Sequence, residues 1–340
     1  MDPTRLDALE GYLASHLPGF RGPLQGKKFS GGQSNPTYLL TAASGQYVLR
    51  RKPDGVLLPS AHAVDREYRV ISALRDSPVP VPDALLLCGD EQVLGSMFYV
   101  MSYEPGRIFW DPSLPEVPQE QRTDYYREAI NRLAALHSVD LAATGLGDFG
   151  RAENYFERQL QRWIKQYRAS ETETLPAFEQ LIVWLEENLP ADDGQVSLIH
   201  GDYRFDNLIF QPEQTRIRAI LDWELSTLGH PLADIAYFCM CLRLPSAGSY
   251  KGLHRVDRAA HGLPSEAEIR ELYCQARGIG PIEHWTFYVA FSFFRLAAIL
   301  QGVYKRALDG NASSTQALQV GKMAQPLAQM ALDMIANEQP

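Results

Sequence analysis

The pattern of the chain changes at Glu104-Pro-Gly106, and this change restricts the fold more than any other feature. Before it, short apolar runs alternate with turn residues. Tyr38–Thr41 and Gln46–Arg50 flank Ala-Ala-Ser-Gly, which predicts a hairpin. Leu85–Cys88 and Met97–Tyr103 predict two more strands, with a turn between them that starts at Gly89-Asp-Glu. Leu6, Leu9, Leu13 and Leu17 recur at helical spacing and predict a helix over 4–17, ended by Pro18, Gly19, Gly22 and Pro23. Val64, Tyr68, Ile71 and Leu74 predict another over 61–75. Pro78-Val-Pro-Val-Pro82 reads as a rigid extended connector. Beyond residue 106 helices dominate, at about 121–138, 154–169, 176–189, 266–277, 284–308 and 315–336. One strand-rich island, 196–223, interrupts them with strands at Val196–Ile199, Leu208–Phe210 and Ala219–Leu221. The expected layout is a small strand-rich lobe over 1–104, a hinge near 102–106, and a larger helical lobe over 105–340.

Composition removes several classes. With 340 residues, 21% charged and 45% hydrophobic, the chain is neither disordered nor collagen nor coiled coil, and it can bury a large core without staples. A net charge of −9 argues against a general nucleic-acid binder. Residues up to Glu104 carry 10 basic and 11 acidic groups, so nearly all the negative charge lies beyond. Cys88, Cys239, Cys241 and Cys274 form no C-x-x-C pair and read as buried free thiols of a reducing cytoplasm. No secretory signal is visible at the N-terminus. The most apolar stretch, Phe287–Val303, is interrupted by Arg295 and Gln301 and reads as a buried helix rather than a membrane span. The expectation is a cytoplasmic protein with no membrane or nucleic-acid partner.

The chemistry is concentrated in Ile199-His-Gly-Asp-Tyr-Arg-Phe-Asp-Asn-Leu-Ile-Phe210, followed by Ala219-Ile-Leu-Asp-Trp-Glu224. Asp202 and Asn207 are five apart on a loop entering a strand, and Asp222 comes fifteen residues after Asn207, at the end of the next strand. A hairpin brings Asn207 and Asp222 side by side at its open end, an amide oxygen and a carboxylate suited to a hard cation such as Mg²⁺. Asp202 on the loop can take a proton from a hydroxyl. A carboxylate that aligns the nucleophile, with Mg²⁺ held by an Asn and an Asp, is what phosphoryl transfer requires. The order H-x-D-x-x-x-x-N and then a metal-binding Asp is the kinase catalytic loop.

With those residues, the chain resembles the aminoglycoside phosphotransferase and choline kinase-like family over roughly 25–300. It is most similar to the kinase-like domain fused to some acyl-CoA dehydrogenases and to its free-standing bacterial relatives. Phe29-Ser-Gly-Gly-Gln-Ser-Asn35, Tyr47-Val-Leu-Arg-Arg-Lys-Pro53, Asp65-Arg-Glu-Tyr-Arg69, Phe98-Tyr-Val-Met101 and Leu228-Gly-His-Pro-Leu-Ala-Asp234 carry this closer resemblance. It implies a protein kinase-like two-lobed α+β fold that uses ATP and Mg²⁺. Asp202 is then the catalytic base or orienting residue, and Asn207 and Asp222 hold the metal. Glu67 pairs with the basic residue of the nucleotide strand, which is Arg50 where many kinases have Lys; Lys52 is the fallback. Met101 to Tyr103 is the hinge that meets adenine. Ser30, Gly31, Gly32 and Ser34 cover phosphate without a G-x-G-x-x-G pattern. Arg204 stands where many kinases place a phosphate-contacting Lys, and either touches the γ-phosphate or pins the loop.

Other residues take plainer roles. His200 and Asp234 are expected to fix the loop, and Asp206 to accept a stabilising hydrogen bond. Glu224 is a candidate for a metal-bound water, and Trp223, Trp285 and the Phe287–Phe294 aromatics are core or pocket wall. Arg243, Lys251, His254, Arg255 and Arg258 form a basic run, read either as a solvated loop or as a clamp for an anionic acceptor such as a CoA phosphate. The resemblance implies an acceptor hydroxyl on a hydroxyacyl-CoA, of the 4-hydroxyacyl type. Two alternatives stand beside it: an aminoglycoside O-phosphotransferase and a non-catalytic nucleotide-binding module. The sequence leaves the oligomeric state open.

Overall fold

The computed structural model describes residues 3–29, 35–53, 63–248, 251–311 and 316–338. The chain divides into two compact units. A sheet unit takes Met1–Ile108, Thr144–Leu146 and Asn207–Ser226; a helical unit takes Phe109–Ala143, Gly147–Asp206 and Thr227–Pro340. The sequence division at 104/105 put the 207–226 segment with the helices, whereas in the fold it packs with the sheet. Backbone hydrogen bonds explain the grouping. Arg107 and Phe210 exchange both backbone bonds, at 2.8 and 2.9 Å, and the Ile220 N–H donates to the Pro80 carbonyl at 2.9 Å.

The sheet unit runs α1 (Pro3–His16), β1 (Gln25–Lys28), β2 (Thr37–Ala42), β3 (Gly45–Arg51), α2 (Val64–Leu74), β4 (Ala84–Cys88), α3 (Glu91–Leu94) and β5 (Phe98–Ser102). Its five strands are antiparallel in the order β1-β2-β3-β5-β4. The leucine stripe of α1 works as its spacing predicts. Leu9, Leu13 and Leu17 join Tyr38, Leu40, Leu49, Phe98 and Val100 in one buried cluster. Each such side chain contributes about 1.5–3 kcal/mol by leaving water. The sequence carries no alternation for β1, because Gln25-Gly-Lys-Lys28 is an exposed edge strand whose lysines discourage further pairing.

The helical unit contains α4 (Gln119–His137), α5 (Tyr155–Ser170), α6 (Pro176–Glu187) and the strand β6 (Ser197–Ile199). The chain then contributes β7 (Leu208–Phe210) and β8 (Ile217–Ile220) to the sheet unit, and returns as β9 (Thr227–Gly229). It ends in α7 (Leu232–Arg243), α8 (Glu266–Arg277), α9 (Trp285–Leu308), α10 (Ala317–Gly321) and α11 (Ala324–Glu338). By length and composition α9 could cross a membrane, but 78% of its most apolar window is packed inside this unit, against α5, α6, α7, α10 and α11. Its aromatics are core: Phe291 meets Phe156 edge-on at 5.3 Å, and Phe294 meets Phe178 at 6.1 Å. Helix α7 leaves no one-sided stripe in the sequence because it is buried nearly all round. The helix expected over 315–336 is two helices. Pro326 lacks an N–H and sits in the first turn of α11, where such a residue is tolerated, so a new helix starts just before it.

Candidate active site

In the sheet unit the site is built on β3. Successive strand residues point to opposite faces, and Arg50 and Arg51 obey this. Arg51 is buried and donates to Ser96 Oγ at 3.2 Å and the Leu94 carbonyl at 3.4 Å. Arg50 turns the other way. Its Nε lies 3.2 Å from Glu67 Oε2, and its Nη2 lies 2.9 Å from Asp222 Oδ1 and 3.8 Å from Glu224 Oε2. Lys52, the fallback, is 3.8 Å from Asp65 instead. Glu67 sits on the buried stripe of α2 and is 1% exposed. It also accepts from Tyr99 Oη at 2.9 Å and Asn35 Nδ2 at 3.0 Å, so a buried carboxylate has three donors. Asn35 Nδ2 reaches Glu224 Oε2 as well, at 3.3 Å.

The electrostatics follow from burial and pairing. Burial disfavours the Arg50 charge, but Glu67, Tyr99, Asp222 and Glu224 outweigh it and raise its pKa further. Burial pushes the Glu67 carboxyl above its ordinary value, against the pull of Arg50, Tyr99 and Asn35. Burial, then Glu67, push the Tyr99 phenol well up, so it stays a donor. Glu67, Asp222 and Glu224 each offer a carboxylate oxygen, all within 4.8 Å of one another. Asp222 adopts φ 65°, ψ 61°, a left-handed conformation uncommon outside Gly. The β7–β8 hairpin pairs Leu208 with Ile220, and the Leu221 N–H donates to the Asn207 carbonyl at 2.9 Å. Asn207 and Asp222 therefore stand at its open end, as the spacing predicts.

In the helical unit the loop 200–206 is held from beneath. The buried carboxylate of Asp234 accepts the His200 N–H at 2.6 Å and the Gly201 N–H at 2.8 Å. Gly201 has φ +83°, where a side chain is strained. Burial lowers the His137 pKa and outweighs the pull of Asp234. A carboxylate only accepts, so His137 Nε2 carries the proton that faces Asp234 at 3.2 Å, and its Nδ1 accepts from Tyr273 Oη at 2.7 Å. Burial alone would raise the Asp234 pKa, but His137, His200 and their hydrogen bonds hold it below the ordinary value. Arg295, on α9, donates to the Gly201 carbonyl at 2.7 Å.

This scaffold presents Asp202, whose side chain is 21% exposed. Asp202 Oδ1 accepts from Tyr237 Oη at 2.7 Å and lies 3.5 Å from Arg204 Nε. Burial, then Asp202, push the Tyr237 phenol well up, which keeps it a donor. Arg204 Nη2 is 2.9 Å from Asp206, so Arg204 pins the loop between two carboxylates. His200 keeps its loop role, with Nδ1 accepting the Asp202 N–H at 3.2 Å.

Other predicted residues fall elsewhere. Met101 is buried within β5 and Tyr103 follows that strand directly. Ser30, Gly31, Gly32 and Ser34 lie outside the described residues. The basic run is partly committed: Arg243 pairs with Glu266 and Glu338 at 2.7 and 2.8 Å, and Lys251 with Asp111 at 3.0 Å. His230 is hydrogen-bonded to Asp193 at 3.1 Å. Burial pushes the Cys241 thiol up to about 12, which makes it a poor nucleophile. The sequence reading missed Asn35, Tyr99, Tyr237, Tyr273, His137 and Arg295. Of these, Asn35 and Tyr99 lie in stretches that carry the resemblance, and Arg295 shows as a charge inside the most apolar helix.

The profile of the phosphotransferase enzyme family matches residues 25–272. The chain belongs to this phosphotransferase family. The α+β kinase-like fold and the chemistry expected from the sequence, phosphotransfer to a hydroxyl, are those of the family. The phosphotransferase is 50% identical over 334 residues to acyl-CoA dehydrogenase family member 10 of Mus musculus, covering 98% of this chain and 31% of that protein. The chain therefore spans about a third of that relative's length. A Ralstonia eutropha crystal structure, named as a candidate aminoglycoside phosphotransferase, is 46% identical with a TM-score of 0.88, covering 98% of this chain and 99% of that one. Spectinomycin phosphotransferase, solved with ADP and spectinomycin, shares the fold at 14% identity and a TM-score of 0.64, over 97% of this chain and 98% of its own.

Proposed function

We propose that this phosphotransferase moves the γ-phosphoryl group of ATP to the hydroxyl of a hydroxyacyl-CoA of the 4-hydroxy type. The observation that carries the chemistry is Asp202, partly exposed on a loop held by Asp234 and Arg295 and fixed in orientation by Tyr237. In this role Asp202 accepts the acceptor's hydroxyl proton as the oxygen attacks, a contribution of about 10²–10⁴ in rate. Asn207, Asp222 and Glu224 would supply hard oxygen donors, and the carboxylate oxygens of Asp222, Glu224 and the buried Glu67, within 4.8 Å of one another, fit a divalent cation. Mg²⁺, when bound, neutralises charge on the nucleotide phosphates. Asp222 would exchange its contact with Arg50 for the ion, while Arg50, still paired with Glu67, keeps a guanidinium beside the site. Phosphorylating the acyl hydroxyl turns it into a leaving group for a later elimination.

The relative named for acyl-CoA dehydrogenation supports the thioester acceptor. The 46% identical structure named for aminoglycosides supports a second reading, an antibiotic O-phosphotransferase. Asp202, Asn207 and Asp222 are all present, which argues against a non-catalytic module. The deciding experiment measures Mg·ATP-dependent ADP release with 4-hydroxyoctanoyl-CoA and with kanamycin. Release with the thioester alone is expected. Release with kanamycin alone would transfer the assignment to the antibiotic.

A further inference from the structure

Helices α7 and α9 each hold the catalytic loop, and one mostly apolar cavity of the helical unit is lined by α9 and by the segment that follows α7. Tyr237 on α7 donates to Asp202 at 2.7 Å, and seven residues on, Leu244 and Pro245 line the cavity. Arg295 on α9 donates to the Gly201 carbonyl at 2.7 Å, and Leu296 and Leu300, next along that helix, line it too. Val320 and Leu327, from α10 and α11, complete the wall. Along α9, at 1.5 Å rise per residue, Leu296 stands about 1.5 Å and Leu300 about 7.5 Å beyond Arg295. The cavity measures about 120 Å³. An aliphatic-lined cavity of about 150 Å³ holds benzene, so this one has room for on the order of five carbons.

We propose that this cavity binds the alkyl tail of the acceptor beyond its hydroxyl, and so selects acyl groups by chain length. The proposal rests on the hydroxyacyl reading for its place in the reaction, but the cavity's chemistry stands apart from it. The lining carries no charged side chain, and Gln319 is its one polar side chain, so it offers a polycationic sugar no counter-charge. An alkyl chain entering here gains about 0.8 kcal/mol per methylene removed from water. The catalytic loop and the cavity then read opposite ends of one short segment: Asp202 takes the hydroxyl and the α9–α11 wall takes the carbons past it.

The test separates the cavity from the acceptor assignment. Butyryl-, octanoyl- and dodecanoyl-CoA, which carry no hydroxyl, are titrated calorimetrically into wild type, Val320→Trp and Leu300→Phe. Val320 lines the cavity and is half-buried, so Trp at this position adds bulk to the wall without replacing a fully buried side chain. Affinity is expected to rise at least tenfold from butyryl to dodecanoyl in wild type, and less than threefold in Val320→Trp. Equal wild-type affinities, or a gain that survives both substitutions, would overturn the proposal. The same proteins are then given 4-hydroxybutyryl- and 4-hydroxydodecanoyl-CoA with Mg·ATP. The ratio of kcat/KM, long over short, is expected to drop at least tenfold in Val320→Trp. Chain-dependent binding without phosphorylation keeps the cavity and removes the hydroxyacyl acceptor. Phosphorylation indifferent to chain length keeps the acceptor and removes the cavity.

Discussion

Arg50 is the residue through which the sheet unit's charges are balanced. It faces three carboxylates, one of them 1% exposed. Removing one partner of a buried pair costs about 3–5 kcal/mol, because the other charge stays behind. Arg50→Met is predicted to lose stability of that order in urea unfolding, and Arg50→Met with Glu67→Gln to recover part of it. His137 predicts a pH dependence. Its folded pKa is depressed, chiefly by burial, so from about pH 6.5 downward the unfolded chain takes up a proton that the folded one refuses. The stability is present above that value and is lost as pH falls; His230, also depressed chiefly by burial, acts in the same direction. Asp234 adds its loss only in stronger acid, below about pH 3.9. Melting temperature is predicted to fall between pH 7.5 and 5.5, with a shallower slope in His137→Gln. At this scale the sequence brings out Asp202, Asn207 and Asp222 as candidate site residues, since they are bound by short spacing. It does not show Asn35 or Tyr237, whose partners Glu224 and Asp202 are 189 and 35 residues away.

At the level of elements, periodicity is what the sequence transmits well. The α1 stripe and the β2–β3 hairpin are legible because each has one wet and one dry face. Helix α7, dry nearly all round, and β1, wet on its outer edge, carry no such contrast. The segment 104–108 is legible only as a break. Its structural role is to pair with β7: a Cβ on Gly106 would lie 2.4 Å from the Phe210 carbonyl oxygen, a backbone atom. Gly106→Ala is therefore predicted to cost about 1–3 kcal/mol through overpacking. Gly147→Ala, with nothing within 4 Å, is the matched control and is predicted to leave thermal unfolding within a degree or two. An equal effect of both would show that the Arg107–Phe210 bridge does not constrain Gly106.

The whole molecule is less separable than its sequence pattern implies. The 207–226 segment lies far along the chain yet belongs to the sheet unit, where it supplies Asp222 and Glu224 to Arg50 and a strand partner to Arg107. A fragment ending at residue 108 would bury Arg50 and Glu67 with part of their network missing. It is predicted to lack dispersed amide signals in a proton–nitrogen spectrum, despite carrying all five strands of the sheet. The chain's path also places Asp202 and Asn207, five residues apart, on opposite sides of the division between units. In the proposed mechanism Asp202 performs the chemistry while other residues hold the nucleotide. The measurement that tests it most directly is phosphoryl transfer from Mg·ATP to 4-hydroxyoctanoyl-CoA by wild type and Asp202→Asn, with ATP affinity measured on both. A loss in kcat of about 10²–10⁴ with ATP affinity within threefold is predicted. Undiminished transfer by Asp202→Asn would rule out this role for Asp202.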